Sequence, residues 1–172
     1  QNKDGSFNEY YQNDRSFCPS AFTTFAAAKT YYLCGEIFND SQKKIIEKAL
    51  LKSANWLSKH LFVEVQNQMI ASMNALWYCS EILDSQSIKN QFAKRKNKIL
   101  KAQDKEGWFP EYNGADIGYS FMALDLFANY LTNSNDTSIF DASKKLIKFI
   151  VKFIHPDGTA GGAYGSRCTS HI

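Results

Sequence analysis

The sequence is poor in proline, with three residues in all, and its four cysteines (Cys18, Cys34, Cys79 and Cys168) never pair at a CxxC spacing. Without such pairs, and without Cys/His spacing suited to zinc, neither a metal site nor a redox motif is written in the chain. Cys34 and Cys79 fall inside apolar runs, where a thiol serves as a small hydrophobe, and this fits a reducing, cytoplasmic compartment. No basic opening followed by an apolar stretch marks a signal peptide, although a leader already cleaved would leave no trace. Uninterrupted apolar runs stay short of the ~18 residues that point to a membrane-spanning helix. No Gly-rich phosphate loop of Walker type appears. Charge of one sign is scarce too, with a net +3 from 20 basic and 17 acidic residues. The cations crowd into three segments, residues 43–59, 89–101 (Arg95 among them) and 144–152. They are not interleaved with aromatics, so they read as solvated outer faces of helices and not as a nucleic-acid surface.

What the chain does contain is an echo. Gln1-Asn-Lys-Asp-Gly5-Ser-Phe7 returns as Gln103-Asp-Lys-Glu-Gly107-Trp-Phe109, and Glu-Tyr follows in both copies, as Glu9-Tyr10 and Glu111-Tyr112. A worn third copy lies at His155-Pro-Asp157-Gly158-Thr-Ala160. Gly5 and Gly107 are 102 positions apart and Gly107 and Gly158 are 51 apart, so the unit is about 50 residues, a period that marks a repeat architecture.

Hydrophobic periodicity predicts six helices, over residues 19–38, 41–61, 68–83, 86–102, 115–131 and 137–154. The first, third and fifth are apolar over most of their circumference, which predicts burial on all sides. The second, fourth and sixth are amphipathic, with lysines outward. Residues 61–65 carry the one short strand signal. Alternating buried and half-solvated helices in hairpins of this length predict an all-α fold, an α/α toroid of inner and outer helices. Superhelical stacks of helix pairs use shorter repeats, about 34 to 47 residues, without this loop.

The recurring loop resembles the QW motif (Gln, a short spacer, then Gly-x-aromatic) of the terpenoid cyclase and prenyltransferase-like toroid superfamily. Gln1, Gly5 and Phe7 fit it, as do Gln103, Gly107 and Phe109. The resemblance implies that each Gln caps a helix end and each aromatic ring stacks nearby, tying outer helices together without a part in catalysis. Residues 63–67 lack the motif, and the third copy has His155 and Ala160 where Gln and the aromatic belong. The chain opens inside a motif and stops after Arg167 and Cys168, at the register where Arg15 and Cys18 lead into the first inner helix. The expectation is therefore one partial toroid domain over residues 1–172. The remainder of the ring would come from the same polypeptide or a second copy.

Toroid enzymes place their chemistry at loops leading into inner helices. Here those loops bring Glu9, Tyr10 and Arg15; then Glu111, Tyr112, Asn113, Asp116 and Tyr119; then Tyr164 and Arg167. Tyrosine faces suit the C–H faces of sugar rings, and forked Arg donors suit uronate carboxylates. The expected partner is thus a carbohydrate, bound by Glu9, Tyr10, Arg15, Tyr112, Asn113, Tyr119 and Arg167, with Glu111, Asp116 and Tyr164 as catalytic candidates. Paired carboxylates would serve a hydrolase; a Tyr or His base beside the uronate C5 would serve a lyase. Against these roles stand helix bracing for Glu9 and Glu111, and dipole-favoured capping for Asp116. His60 reads as a surface or packing residue, and Gly118 as a site of close helix approach. No metal or cofactor is expected.

The Asp-x-Asp-Asp acid motif of squalene-type cyclisation is absent, as are the Asp-Asp-x-x-Asp magnesium site, the prenyltransferase zinc set and the Cys-Gly-Glu-Gln thioester. The loops resemble those of bacterial polysaccharide-associated toroids, which implies carbohydrate binding or processing of a lyase or hydrolase kind. The alternatives are a terpenoid cyclase-like enzyme whose acid motif lies outside this chain, and a non-catalytic helical interaction scaffold.

Overall fold

A computed structural model describes residues 1–160. Among them the fold is all-α, with helices α1 (Phe17–Cys34), α2 (Asp40–Lys59), α3 (Gln66–Ile82), α4 (Gln86–Ala102), α5 (Ile117–Leu131) and α6 (Thr137–Ile150). Their order is that of the hairpins of an α/α toroid. Short 3-10 turns follow α1 and α6, at Gly35–Ile37 and Val151–Phe153. The described residues form isolated bridges but no strand; the expected strand at residues 61–65 contributes one bridge, Val65 to Glu111.

The chain forms two compact units. The first comprises Gln1–Phe62 and Ala71–Lys96, the second Val63–Ile70 and the described residues from Asn97 on.

In the first unit α1 and α2 pack together. Asn39 starts α2 with a capping box: its side chain accepts from the Gln42 N–H while Gln42 accepts from the Asn39 N–H. α2 buries Leu50, Ser53, Ala54, Trp56 and Leu57 and turns Lys44, Lys48, Lys52 and Lys59 outward. The expectation that α1 is buried on all sides is corrected by the structure. It buries one stripe, Ser20, Ala21, Thr24, Ala28 and Tyr31, and leaves Ala26, Ala27, Tyr32 and Leu33 exposed. Apolar composition gave the helix but not its surroundings. Arg95 departs from its lysine neighbours: it is 3% exposed, and its guanidinium donates to the Ser72 hydroxyl and to the carbonyls of Leu57 and His60.

In the second unit α5 packs on α6. α6 buries Ile139, Ala142, Ser143, Leu146, Phe149 and Ile150, the spacing of an amphipathic helix. Asp136 caps it through the Ser138 and Ile139 N–H groups and also accepts from the Tyr130 hydroxyl. α5 likewise buries one face only, with Phe121 and Met122 each 41% exposed. α3 alone is buried around most of its surface.

Each repeated loop is fastened to the outer helix of its own hairpin by the same two residues. The Gln1 amide donates to the Ala49 carbonyl (2.9 Å) and the Ser53 hydroxyl (2.7 Å). The Gln103 amide donates to the carbonyls of Ala142 and Gly107, both at 2.9 Å. Gly5 (φ +100°) and Gly107 (φ +102°) lie flat on the carbonyls of Lys52 and Lys145, where a Cβ would fall well inside 3.0 Å of backbone atoms. Only glycine satisfies both the left-handed dihedral and that approach. Phe109 is buried behind the clamp, its ring 5.4 Å from Phe127 in an edge-to-face contact.

Candidate functional site

The loop of the second unit runs from Phe109 to the start of α5. The Pro110 carbonyl accepts from the Gln66 N–H (3.1 Å), and the Tyr112 N–H donates to the Glu64 carbonyl (3.0 Å). Between them Glu111, 2% exposed, turns its carboxyl onto the first turn of α3. One oxygen accepts from the Asn67 N–H and the other from the Asn67 side-chain amide, each at 2.7 Å. A helix N-terminus presents unsatisfied donors and a positive dipole end, so a carboxyl is well placed there. Burial nevertheless pushes the Glu111 pKa up to about 7, against the Asn67 hydrogen bonds, and the Asp116 charge adds to the rise.

Glu111 and Gly114 then close a tight turn, N–H to carbonyl in both directions (2.8 and 3.2 Å). Its two central residues, Tyr112 (φ 52°) and Asn113 (φ 72°), both take left-handed backbone, and both are exposed. Asp116 ends the loop as the N-cap of α5, accepting from the Tyr119 N–H at 2.9 Å. Tyr119 itself is half-buried. The carboxylates of Glu111 and Asp116 are thus both engaged at helix N-termini. Among the described residues Gly118 allows no close helix approach, contrary to expectation: a Cβ there would meet only the Asp116 Oδ1, at 3.4 Å.

In the first unit the corresponding loop is held by Asp14. Its carboxylate accepts from the backbone N–H groups of Glu9, Tyr10, Tyr11 and Ser16. These donors, Tyr10 first, hold its pKa below the ordinary carboxylate value. Glu9 is exposed and accepts from the Ser16 hydroxyl (2.6 Å). Asn13 and Arg15 are left-handed, at φ 66° and 51°. The Arg15 side chain is 61% exposed and pairs with Asp4 at 3.5 Å. Tyr10 and Tyr11 stand outward, each 78% exposed, with ring centroids 6.5 Å apart.

Arg15 also borders a groove that sequence reasoning missed, completed by Asp4, Asn55, Trp56, Lys59 and His60. The signal available in the sequence was Trp56 and His60 at helical i, i+4 spacing beside Asn55 and Lys59. Tyr164 and Arg167 lie outside the described residues, as do Cys168 and His171. Among the described residues no cluster of three or more His, Cys, Asp or Glu could hold a metal ion, and no helix is long and apolar enough to cross a membrane.

Comparison associates these all-α hairpins and their tyrosine-bearing loops with polysaccharide-processing proteins. The family model described as the ulvan lyase N-terminal domain matches residues 1–170. The chain belongs to that family. No curated protein and no solved structure matches it.

Proposed function

We propose that this chain binds an acidic polysaccharide through the loops preceding α1 and α5, as part of a lyase. The observation that carries this reading is the shared construction of the two loops. Each is clamped by a Gln–Gly pair, contains non-glycine residues in left-handed backbone, and holds tyrosines in solvent: Tyr10 and Tyr11 in one, Tyr112 in the other. Left-handed backbone at non-glycine residues costs on the order of 1 kcal/mol each, and such strain concentrates where a ligand is gripped. The family's name supplies the reaction class. A lyase must remove the proton at C5 of a uronate while a cation or amide neutralises the carboxylate. Tyr164 and Arg167 remain candidates for these roles on the sequence alone; Arg15, Asn113 and Tyr119 remain ligand contacts. Glu9 joins them at the first loop, while Glu111 and Asp116 serve by bracing the second. The glutamine clamp also supports kinship with terpenoid cyclase-like toroids, at the level of fold.

Affinity electrophoresis in gels containing ulvan tests this. Retardation of the intact chain, lost by at least about fivefold in apparent Kd in a Tyr10→Ala/Tyr11→Ala/Tyr112→Ala variant that still folds, is the expected result. Retardation unchanged by the triple substitution would remove the tyrosine loops from the binding surface.

A further inference from the structure

Resting on that reading, we infer that the groove between the first loop and the end of α2 is a subsite for one anionic sugar residue, recognised through a carboxylate or a sulfate ester. The groove encloses about 390 Å³, within the range of small-ligand sites. Its floor is aromatic. The His60 ring lies on the Trp56 indole with centroids 3.9 Å apart and planes 12° from parallel. Trp56 is buried, so the exposed imidazole presents the flat surface that remains. His60 Nδ1 lies 2.7 Å from the Trp56 carbonyl oxygen. A carbonyl only accepts, so Nδ1 carries the proton, and in the neutral ring Nε2 is left as an acceptor for a sugar hydroxyl.

The walls are polar and carry an excess of positive charge. Arg15 and Lys59 face a single carboxylate, Asp4, which already pairs with Arg15. The Lys59 and Asn55 side chains are exposed and have no hydrogen-bond or ion-pair partner among the described residues. A helix C-terminus would ordinarily repel an anion. Here its carbonyls are already engaged: that of Trp56 by the imidazole, those of Leu57 and His60 by the buried Arg95 guanidinium. Burial lowers the Arg95 pKa only to about 10, so it stays a cation at neutral pH on the carbonyls that it caps. A flat ring, an amide and an uncompensated ammonium at a helix end capped by a guanidinium suit an acidic pyranose, stacked on its C–H face with its anionic group toward Lys59.

Isothermal titration of the 172-residue chain with three probes tests the assignment. They are an oligogalacturonate (carboxylates only), dextran sulfate (sulfate esters only) and unmodified dextran. Binding to at least one acidic probe and not to dextran is expected, weakened about tenfold by Lys59→Gln and about threefold by Asn55→Ala. Neither side chain has a partner among the described residues, so neither change should disturb the fold, and Lys148→Gln in α6 should bind as the parent does. Addition of the better probe should also shift the His60 ring-proton resonances, assigned by their loss in His60→Gln. Which acidic probe binds decides between carboxylate and sulfate. Acidic binding that survives Lys59→Gln and Asn55→Ala, or an unmoved His60, overturns the subsite while leaving the polysaccharide reading intact. Failure of every probe, together with failure on ulvan gels, overturns both.

Discussion

The loops of residues 1–16 and 103–116 share a clamp and differ in what they do with the glutamate that follows it. In both, a glutamine reaches an alanine carbonyl on the outer helix and a glycine lies on the lysine carbonyl one turn later. Glu9 and Glu111 both stand four residues beyond the glycine. Glu9 is exposed and bonds its own loop; Glu111 is buried and holds the N-terminus of α3. The difference comes from what passes alongside. Residues 64–67 run beside the second loop and exchange hydrogen bonds with residues 110–112. Among the described residues no such segment exchanges backbone hydrogen bonds with the first loop, which folds back on itself, with Asp14 satisfying the N–H groups of Glu9, Tyr10 and Tyr11. Repetition fixes the fastening; context decides whether the adjoining loop becomes a strut or a presenting surface.

The fastening is therefore where the comparison should break most severely. Gly5→Ala and Gly107→Ala would each force a Cβ into a backbone carbonyl that cannot rotate away, in a left-handed conformation. We expect each to lose about 3 kcal/mol or more in urea unfolding, the range in which strain and overpacking combine. Gly158 in the worn copy also has positive φ (84°), but among the described residues a Cβ there would meet nothing within 4 Å. Gly158→Ala should then lose only about 1 kcal/mol, the dihedral term alone. Equal losses at all three glycines would mean that backbone conformation, and not the close approach to the outer helix, sets the requirement.

The two glutamates give the next largest contrast. The folded pKa of Glu111, about 7, lies above the ~4.3 of an unfolded glutamate. The folded state then binds more protons between those values, so stability falls as pH rises across that window and levels off above it. The fall should be on the order of 3 kcal/mol, read from urea midpoints at a series of pH values. The groups acting on the carboxyl are the Asn67 donors, which favour the anion, and the Asp116 charge, which opposes it. Glu111→Gln should flatten the curve, whereas Glu9→Gln should change stability by no more than about 0.5 kcal/mol, as expected of a surface substitution. An unaltered slope in Glu111→Gln would assign the pH response elsewhere.

Residue type announced the clamp in the sequence because local geometry dictates it: a glycine pressed on a carbonyl admits no substitute. The six helices were legible for a similar reason, each carrying its own apolar period, and 86–102 was bounded as observed. Burial was less legible. Arg95 reads like the lysines around it, yet lies inside because the end of α2 offers carbonyls that need a donor. α1 is as apolar as a buried helix but covers one stripe, since an apolar side chain does not specify its neighbour. At the candidate site Glu111, Asp116, Tyr112 and Arg15 were visible as loop residues, but the division of labour among them was not. The groove around His60 escaped because the end of α2, which supplies Asn55, Trp56, Lys59 and His60, meets Asp4 and Arg15 of the first loop only in the folded chain.

The smallest contrast lies inside the clamp itself. In the second copy the Gln103 amide bonds the Gly107 carbonyl directly. In the first it bonds the Ser53 hydroxyl, and Ser53 passes the contact on to the Gly5 carbonyl at 2.7 Å. The position one residue past the lysine is serine in α2 and leucine, Leu146, in α6. A hydroxyl both donates and accepts, so serine can stand between amide and carbonyl, while leucine leaves the amide to make the bond alone. Gln1→Ala and Ser53→Ala should each cost about 1 kcal/mol, and the double variant should cost less than their sum by about 0.5 kcal/mol or more, because both interrupt one relay. Gln103→Ala combined with Leu146→Val should instead be additive within about 0.5 kcal/mol, the leucine having no polar part in that clamp. Additivity in the first pair would show that Ser53 holds the Gly5 carbonyl independently of Gln1. The two copies would then share a shape without sharing a hydrogen-bond path.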